Sequence, residues 1–556
     1  MDDRTTDSRR STRHSLARNR RFGISTNRWR TKSQSGKLAA DVAHWRADSG
    51  CWLENPLPCA AADRSFMPTL SSERYLEPSR LHFWRSALVL VLIWAGIFLP
   101  SLGTLELKGE EGRRVLPGQT MLRNGDWIVP QVGGEPYLRK PPMINWLAAV
   151  SFKTTGVENE WTARLPSVLG VLMLVLVIYF AGIPWLGWHA AFAAAVFSMT
   201  NLAMIDKGRL LEIDALYSVV TGVAVILWLR SWMLDRPWLN WIFIGVALAC
   251  GYLLKGPVHL LFFYAVVLAV LWKAGEWRKL MHPAHFIGLL VAIGLVLLWW
   301  LPYSERTGGA GGAMVHQLTD RIDGSDFDLR GWLLNIPRGL ANLLPWALFL
   351  IVGWVPLHSD TPEKIRALIS GLRWAVVTSF LVVSVAPGSL PRYTMPVTVP
   401  FALWIALQLR WGIMPERLWR IWRTVTGGGV GQLKTLSLRT GVLMVLLMAI
   451  YSWAVVPKLE ERSLWRAAGT KINAAVQPGE TVYAVDPGSQ PIFFYLSVPY
   501  QFVDKAKRLP ANARYVLARE KPLADVRKLH PEAREILRYE DRGQKTTVLL
   551  ELDRRN

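Results

Sequence analysis

Apolar runs long enough to cross a lipid bilayer recur along most of this 556-residue chain, and no other feature constrains its folding as strongly. They fall at about 86–103, 164–182, 186–203, 213–229, 238–254, 257–272, 285–303, 336–356, 370–386, 393–409 and 437–456. The pattern predicts an all-α polytopic membrane protein with about eleven transmembrane helices. The runs are apolar all round rather than along one stripe, so a soluble fold could not bury them. Composition agrees: 51% of residues are hydrophobic and 19% charged, with a mean hydropathy of +0.20. Tryptophans gather at run ends (Trp84, Trp238, Trp241, Trp299, Trp300, Trp411), as in interfacial aromatic belts. A single soluble core and an all-β secreted domain are excluded. So is a disulfide scaffold, because one of the three cysteines, Cys250, lies inside an apolar run.

The 64 Lys and Arg against 42 Asp and Glu give a net charge of +22, and part of this excess sits in the N-terminal stretch. Residues 1–84 are Arg- and Ser-rich without periodicity and are expected to be a basic disordered cytoplasmic tail. A lipid-binding role for the tail and a start at Met67 are the alternatives. The connections on the same side as the tail carry Arg230 and Arg236, then Lys273, Arg278 and Lys279, then Lys364 and Arg366, then Arg417, Arg420, Arg423 and Lys434. By the positive-inside rule the N-terminus is inside, and an odd number of spans puts the C-terminus outside. Lys207, Arg209 and Lys255 fall on the outer side and need another explanation. Residues 85–457 form the expected membrane domain. Residues 458–556 turn polar and predict a small external α/β domain. Its strands are expected near 481–485, 515–518 and 546–552, and its helices near 464–476 and 523–529.

On this topology the unusual polar residues collect on the outer side. The first outer loop, about 104–163, carries Glu110 and Glu111, then Arg113, Gly125-Asp126-Trp127 and Tyr137-Leu138-Arg139-Lys140-Pro141-Pro142. Later outer connections carry Asp206 to Asp214, Lys255-Gly256-Pro257, the polar run from His316 to Arg330, and Leu390-Pro391-Arg392-Tyr393. Glu110 and Asp214 are suited to accept a proton or bind a cation. Lys140, Lys255 and Arg392 are suited to neutralise phosphate, arginine by a fork and lysine as a point charge. Each has a bland rival: a solvated helix start for Glu110 and Glu111, a helix cap for Asp214, snorkelling for the lysines and a span anchor for Arg392. His189 and His259 read as packing residues. The glycine-rich stretch 427–434 reads as a linker, because no Gly precedes Lys434. Segments 111–123 and 143–152 are amphipathic enough to be interfacial helices.

The ordered set of motifs is similar to the aminoarabinose transferase and protein-mannosyltransferase superfamily of polyprenyl-phosphate-sugar-dependent glycosyltransferases. It runs from the carboxylate pair through the Gly125-Asp126-Trp127 and Lys140-Pro141-Pro142 block, Asp214 and Lys255-Gly256-Pro257 to Leu390-Pro391-Arg392-Tyr393-Thr394-Met395-Pro396, and covers about residues 85–410. The resemblance implies a GT-C fold with Glu110 at the position of the catalytic acid and Asp214 at that of a second acidic residue of the cavity. It implies substrate-binding positions at Glu111, Arg113, Tyr137, Lys140, Lys255, Arg392 and Tyr393. Glu110 stands where Asp is usual, Arg114 where Tyr is common, and Ser389 where many members have Lys.

The implied activity is transfer of a sugar, with inversion, from a polyprenyl-phosphate donor to a lipid A, glycolipid, glycan or protein acceptor. It would occur at the outer, periplasmic face of the cytoplasmic membrane. A divalent metal cation between carboxylate and phosphate is compatible with these residues, but no ligand spacing demands one. No nucleic-acid partner is expected. A glycolipid transporter or flippase and a non-catalytic envelope assembly protein are the alternative readings.

Overall fold

The computed structural model describes residues 80–309, 328–487, 491–540 and 546–553, except positions 237, 417–419, 421–423 and 425–431. Positions 1–79 of the expected tail, the polar run 316–327 and most of the glycine-rich linker lie outside the described residues.

The described chain is mostly helical. Helix α1 (Arg80–Phe98) stops two residues before Pro100, which disfavours helical backbone at Leu99. The first run is therefore placed earlier than the expected 86–103. The first long loop holds α2 (Gly112–Asn124) and α3 (Met143–Thr155), where interfacial helices were expected. Then come α4 (Glu160–Leu186), α5 (Trp188–Met199), the short α6 (Leu202–Lys207), α7 (Ile213–Leu234), α8 (Trp238–Lys255), α9 (His259–Ala274) and α10 (Pro283–Arg306). Later helices span Glu363–Val385, Thr398–Trp411 and Gln432–Ile450.

Among the described residues, six helical segments are long and apolar enough to cross a membrane: α1, α4, α7, α10, Glu363–Val385 and the run beginning at Gln432. Three other apolar helices are shorter: α5, α9 and most of α8. The single span expected at 336–356 is instead two helical pieces, Asn335–Asn342 and Trp346–Trp354, at 100° to each other. Pro345 lies in the break, where it supplies no backbone donor. Leu88 and Leu92 on α1, Leu290 and Leu298 on α10, and Leu446 near the end of the chain's last long helix are each more than half exposed. Outward leucine rows of this kind suit lipid rather than water. The protein is a multi-pass membrane protein. Its interior is built around α5, whose residues Ala190–Met199 are all buried. The small alanine side chains let α4, Thr398–Trp411 and Gln432–Ile450 pack closely around it.

Past the last long helix the chain forms a five-stranded sheet in the order β4-β3-β5-β7-β6. The strands are β3 (Val482–Val485), β4 (Tyr500–Val503), β5 (Tyr515–Arg519), β6 (Arg534–Glu540) and β7 (Thr546–Glu551). β3 pairs in parallel with β4 and β5, and β7 antiparallel with β5 and β6. Helices Trp465–Ala475 and Glu520–Leu529 accompany the sheet. Sequence patterning marked β3, β5 and β7, whose residues are largely buried, but not β4 or β6. β6 lies at the sheet's edge, is rich in charged residues (Arg534, Glu535, Arg538, Glu540) and stays largely exposed.

This layer packs on the first long loop. Val115 of α2 and Ile144 and Phe152 of α3 share one buried apolar cluster with Ala468, Ile472, Phe493 and Phe494. Between α2 and α3 a small hairpin pairs β1 (Gln131–Val132) with β2 (Glu135–Pro136). Its turn residues Gly133 and Gly134 have φ of 60° and 84°, which glycine adopts freely. The Gly133 carbonyl accepts a hydrogen bond from the Phe502 N–H at 2.8 Å. The hairpin is thereby tied to the edge strand of the C-terminal sheet.

Candidate active site

Five separate stretches of the chain converge on one open polar pocket with about 550 Å³ of empty space, its mouth included. Its walls are Glu110, Arg113, Arg114, Tyr137, Arg139, Lys140, Glu212, Ile213, Asp214, Lys255, Arg392 and Tyr393.

Glu110 lies in a 3-10 turn (Gly109–Glu111) that leads directly into α2. Helical spacing brings Arg113 and Arg114 back to it, with Nη1 of Arg113 and Nη2 of Arg114 each 2.9 Å from one of its carboxylate oxygens. Arg114 is nearly buried and also donates to the Tyr137 hydroxyl at 2.9 Å. The hairpin aims Tyr137, Arg139 and Lys140 at the same pocket, and the Tyr137 N–H donates to the Pro130 carbonyl at 2.6 Å.

Asp214 sits in the first turn of α7 and is nearly buried. Lys255, the last residue of α8, forms an ion pair and hydrogen bond with its Oδ1. Arg392 faces its Oδ2 at 3.4 Å, an ion-pair contact outside hydrogen-bond alignment. The Lys255 ammonium also lies 4.1 Å from the centre of the Tyr393 ring, a cation–π contact. Glu212 is paired with Lys207 at 3.2 Å. Burial raises its carboxyl above the usual range, Lys207 opposes this, and the charge of Asp214 adds to it.

Eight of the residues singled out in the sequence therefore share one pocket: Glu110, Arg113, Tyr137, Lys140, Asp214, Lys255, Arg392 and Tyr393. Glu111, expected to bind substrate, does not line it. Its carboxylate is fully buried on the other side of the turn, against Arg164. The sequence reading missed Arg114, Arg139 and Glu212. The signal was present for Arg114, four residues after Glu110 on a helix, and for Glu212, two before Asp214. The cations that the sequence leaves unexplained also have partners. Lys207 pairs with Glu212 and Asp206, Lys255 with Asp214, and Arg209 donates to the carbonyls of Ile97 and Pro100. His259 is buried against the Tyr217 ring, and His189 stacks on Trp188.

Arg113, Arg114, Arg139, Lys140, Lys255 and Arg392 outnumber Glu110, Glu212 and Asp214, so the pocket favours an anionic ligand. Among the described residues no group of three or more His, Cys, Asp or Glu side chains is arranged to hold a metal ion. The pocket's carboxylates are each held by cations instead.

Residues 139–300 match the dolichyl-phosphate-mannose-protein mannosyltransferase family. The chain is 26% identical over 475 residues to the undecaprenyl phosphate-alpha-4-amino-4-deoxy-L-arabinose arabinosyl transferase of Pectobacterium carotovorum, covering 79% of this chain and 82% of that one. It is 26% identical to the transferase of the same name from Pseudomonas aeruginosa, over 53% of this chain and 54% of the relative. The crystal structure of ArnT from Cupriavidus metallidurans bound to undecaprenyl phosphate superposes with a TM-score of 0.67 at 17% identity. The match covers 85% of this chain and 98% of ArnT. The chain has an ArnT-like GT-C fold. The same protein in its apo state superposes equally well, with a TM-score of 0.66 at 16% identity. Within this GT-C fold the matched family segment begins in the pocket at Arg139, includes Lys140, Asp214 and Lys255, and ends in α10.

Proposed function

We propose that the protein is a membrane glycosyltransferase that moves a sugar from a polyprenyl-phosphate donor to an acceptor hydroxyl or amine. The observation that carries this reading is the meeting of Glu110 and Asp214 with Lys140, Lys255 and Arg392 in one pocket. A sugar linked to a lipid phosphate needs cations at the bridging phosphate and a carboxylate at the incoming nucleophile. In this reading Lys140, Lys255 and Arg392 hold the phosphate, with Arg113 and Tyr393 at its flank. As the bond from the anomeric carbon to the phosphate oxygen breaks, they stabilise the charge that develops on the leaving phosphate. The acceptor attacks from the opposite face, so the configuration inverts. Glu110 takes the acceptor proton and Asp214 helps to place the acceptor. Phosphate is already a good leaving group, so no strong general acid is required. Holding both substrates in one pocket supplies part of the rate.

Eleven membrane crossings put the connections at 104–163, 206–214, 255–257 and 387–393 on one side. With a cytoplasmic N-terminus, that side is periplasmic and also carries a C-terminal domain over 458–556. The sugar of the named relatives, 4-amino-4-deoxy-L-arabinose, is the first to test, with lipid A as acceptor. The test is reconstitution of the full chain in lipid nanodiscs with undecaprenyl-phosphate 4-amino-4-deoxy-L-arabinose and lipid A. The expected result is an acceptor heavier by one sugar and an equal amount of released undecaprenyl phosphate. If neither product appears, extracts of cells with and without the gene identify any lipid or protein that loses a sugar. No difference in any acceptor would refute the enzyme reading.

A further inference from the structure

The Glu111–Arg164 contact lies outside the pocket, in the buried interior. Arg164, in the first turns of α4, is 3% exposed. All five of its guanidinium N–H groups are used. Nε and Nη2 donate to the two oxygens of Glu111, both at 2.9 Å. Nη1 donates to the carbonyls of Leu102 and Leu105 at 2.7 and 2.9 Å, and Nη2 also to the carbonyl of Glu106 at 2.9 Å. Glu111 is 0% exposed and is equally saturated. Besides Arg164, its oxygens accept the backbone N–H of Lys108 and that of Leu211, both at 2.9 Å.

Neither side chain has a hydrogen-bonding site left for a ligand. What they join is informative. Lys108 to Glu111 is the turn that presents Glu110. Leu211 is the residue before Glu212 and three before Asp214. One carboxylate therefore binds the backbone of both acid-bearing segments, which are about a hundred positions apart in the chain. The neighbouring Glu106 extends the tie, because its carboxylate accepts the Leu464 and Arg466 N–H groups where helix Trp465–Ala475 begins.

We propose that Glu111 and Arg164 are a positioning pair that fixes the separation of the Glu110 and Asp214 segments for transfer. The inference rests on the roles given to those two acids above. A misplacement of about 1 Å at a reacting group can cost on the order of 100-fold in rate. Loss of the pair should thus appear in turnover rather than in donor binding.

The test compares the wild-type full chain with Glu111→Gln and Arg164→Lys in nanodiscs. The readouts are kcat and donor KM with undecaprenyl-phosphate 4-amino-4-deoxy-L-arabinose and lipid A, the Kd for undecaprenyl phosphate, and monodispersity. The expected result is a fall in kcat of about 10- to 100-fold, with KM and Kd within about threefold of wild type. Arg164→Lys keeps the charge but loses the fork, and it decides the matter if Glu111→Gln does not fold. A kcat within threefold of wild type in the folded variants overturns the proposal. So does a KM or Kd that moves as far as kcat, which would make the pair part of the binding site. If neither variant folds, the pair serves the fold and the proposal is overturned. A wild type inactive with this pair and with every acceptor that cell extracts identify overturns the functional reading itself, whereas an active wild type with unaffected variants overturns only the positioning role.

Discussion

Replacing Glu110 with Gln separates chemistry from architecture at this site. The side chain is about one-third exposed, and its two partners, Arg113 and Arg114, lie on the following turn of helix at 2.9 Å. Pairs of this kind contribute about 0.3–0.5 kcal/mol each when solvated. Arg114 is nearly buried but keeps the Tyr137 hydroxyl and gains the amide oxygen of Gln as acceptor. The cost in stability should therefore be about 1 kcal/mol, a few degrees at most in thermal midpoint for a domain of this size or larger. The same change removes the acceptor of the substrate proton, which is worth roughly 10²- to 10⁴-fold in rate. That equals roughly 3–5 kcal/mol of transition-state stabilisation, several times the structural cost. The assay is the initial rate of undecaprenyl phosphate release, run beside a thermal melt followed by tryptophan fluorescence. A variant turning over within threefold of wild type would remove Glu110 from the reaction. A melt lowered by tens of degrees would show that the ion pairs, and not the proton transfer, had been misjudged.

Lys255→Ala leaves Asp214 nearly buried with only Arg392 facing it, and should cost about 2–3 kcal/mol, below the range for a fully buried pair because both side chains retain some exposure. Adding Asp214→Asn should restore much of the thermal midpoint but no activity, and a double variant as unstable as the single one would contradict the pairing. Lys140→Ala should raise donor KM by about tenfold with kcat little changed, as expected for loss of one charge-assisted contact. An unchanged KM would make Lys140 a surface anchor. In the C-terminal layer, burial pushes the Tyr500 phenol up to about 12. Its neutral form is favoured in the folded state, so the stability it supports is present below about pH 10 and lost as pH rises through about 12. Tyr500→Phe should flatten that alkaline loss in a melt series, and an identical pH profile would refute it.

The membrane character and the membership of the pocket were largely legible in the sequence, because bilayer length and charge placement are local signals. Asp214, Lys255 and Arg392 stand beside the ends of apolar runs, where a charge needs a reason. The Glu110–Arg114 spacing is legible too, because four residues along a helix bring Arg114 back to Glu110. Two kinds of feature were not legible. The side to which adjacent residues turn decides whether Glu110 or Glu111 faces the pocket, and a chain of two glutamates carries no sign of it. Partners distant in sequence are equally silent. Arg164 at a span's start looks like an interfacial anchor until the carbonyls of Leu102, Leu105 and Glu106 are seen around it. The bent pair around Pro345 and the strands β4 and β6 were missed for a related reason. Their geometry is set by what they pack against, and local patterning is a weak guide there.

In the proposed function Lys140, Lys255 and Arg392 gather around a lipid phosphate beside Glu110 and Asp214. An electron cryo-microscopy map of the full chain in nanodiscs with undecaprenyl phosphate tests this directly. The expected result is phosphate density within hydrogen-bonding distance of those three cations, with the isoprenoid chain leading out toward lipid. Phosphate density at another site, with this pocket holding only water, would contradict it.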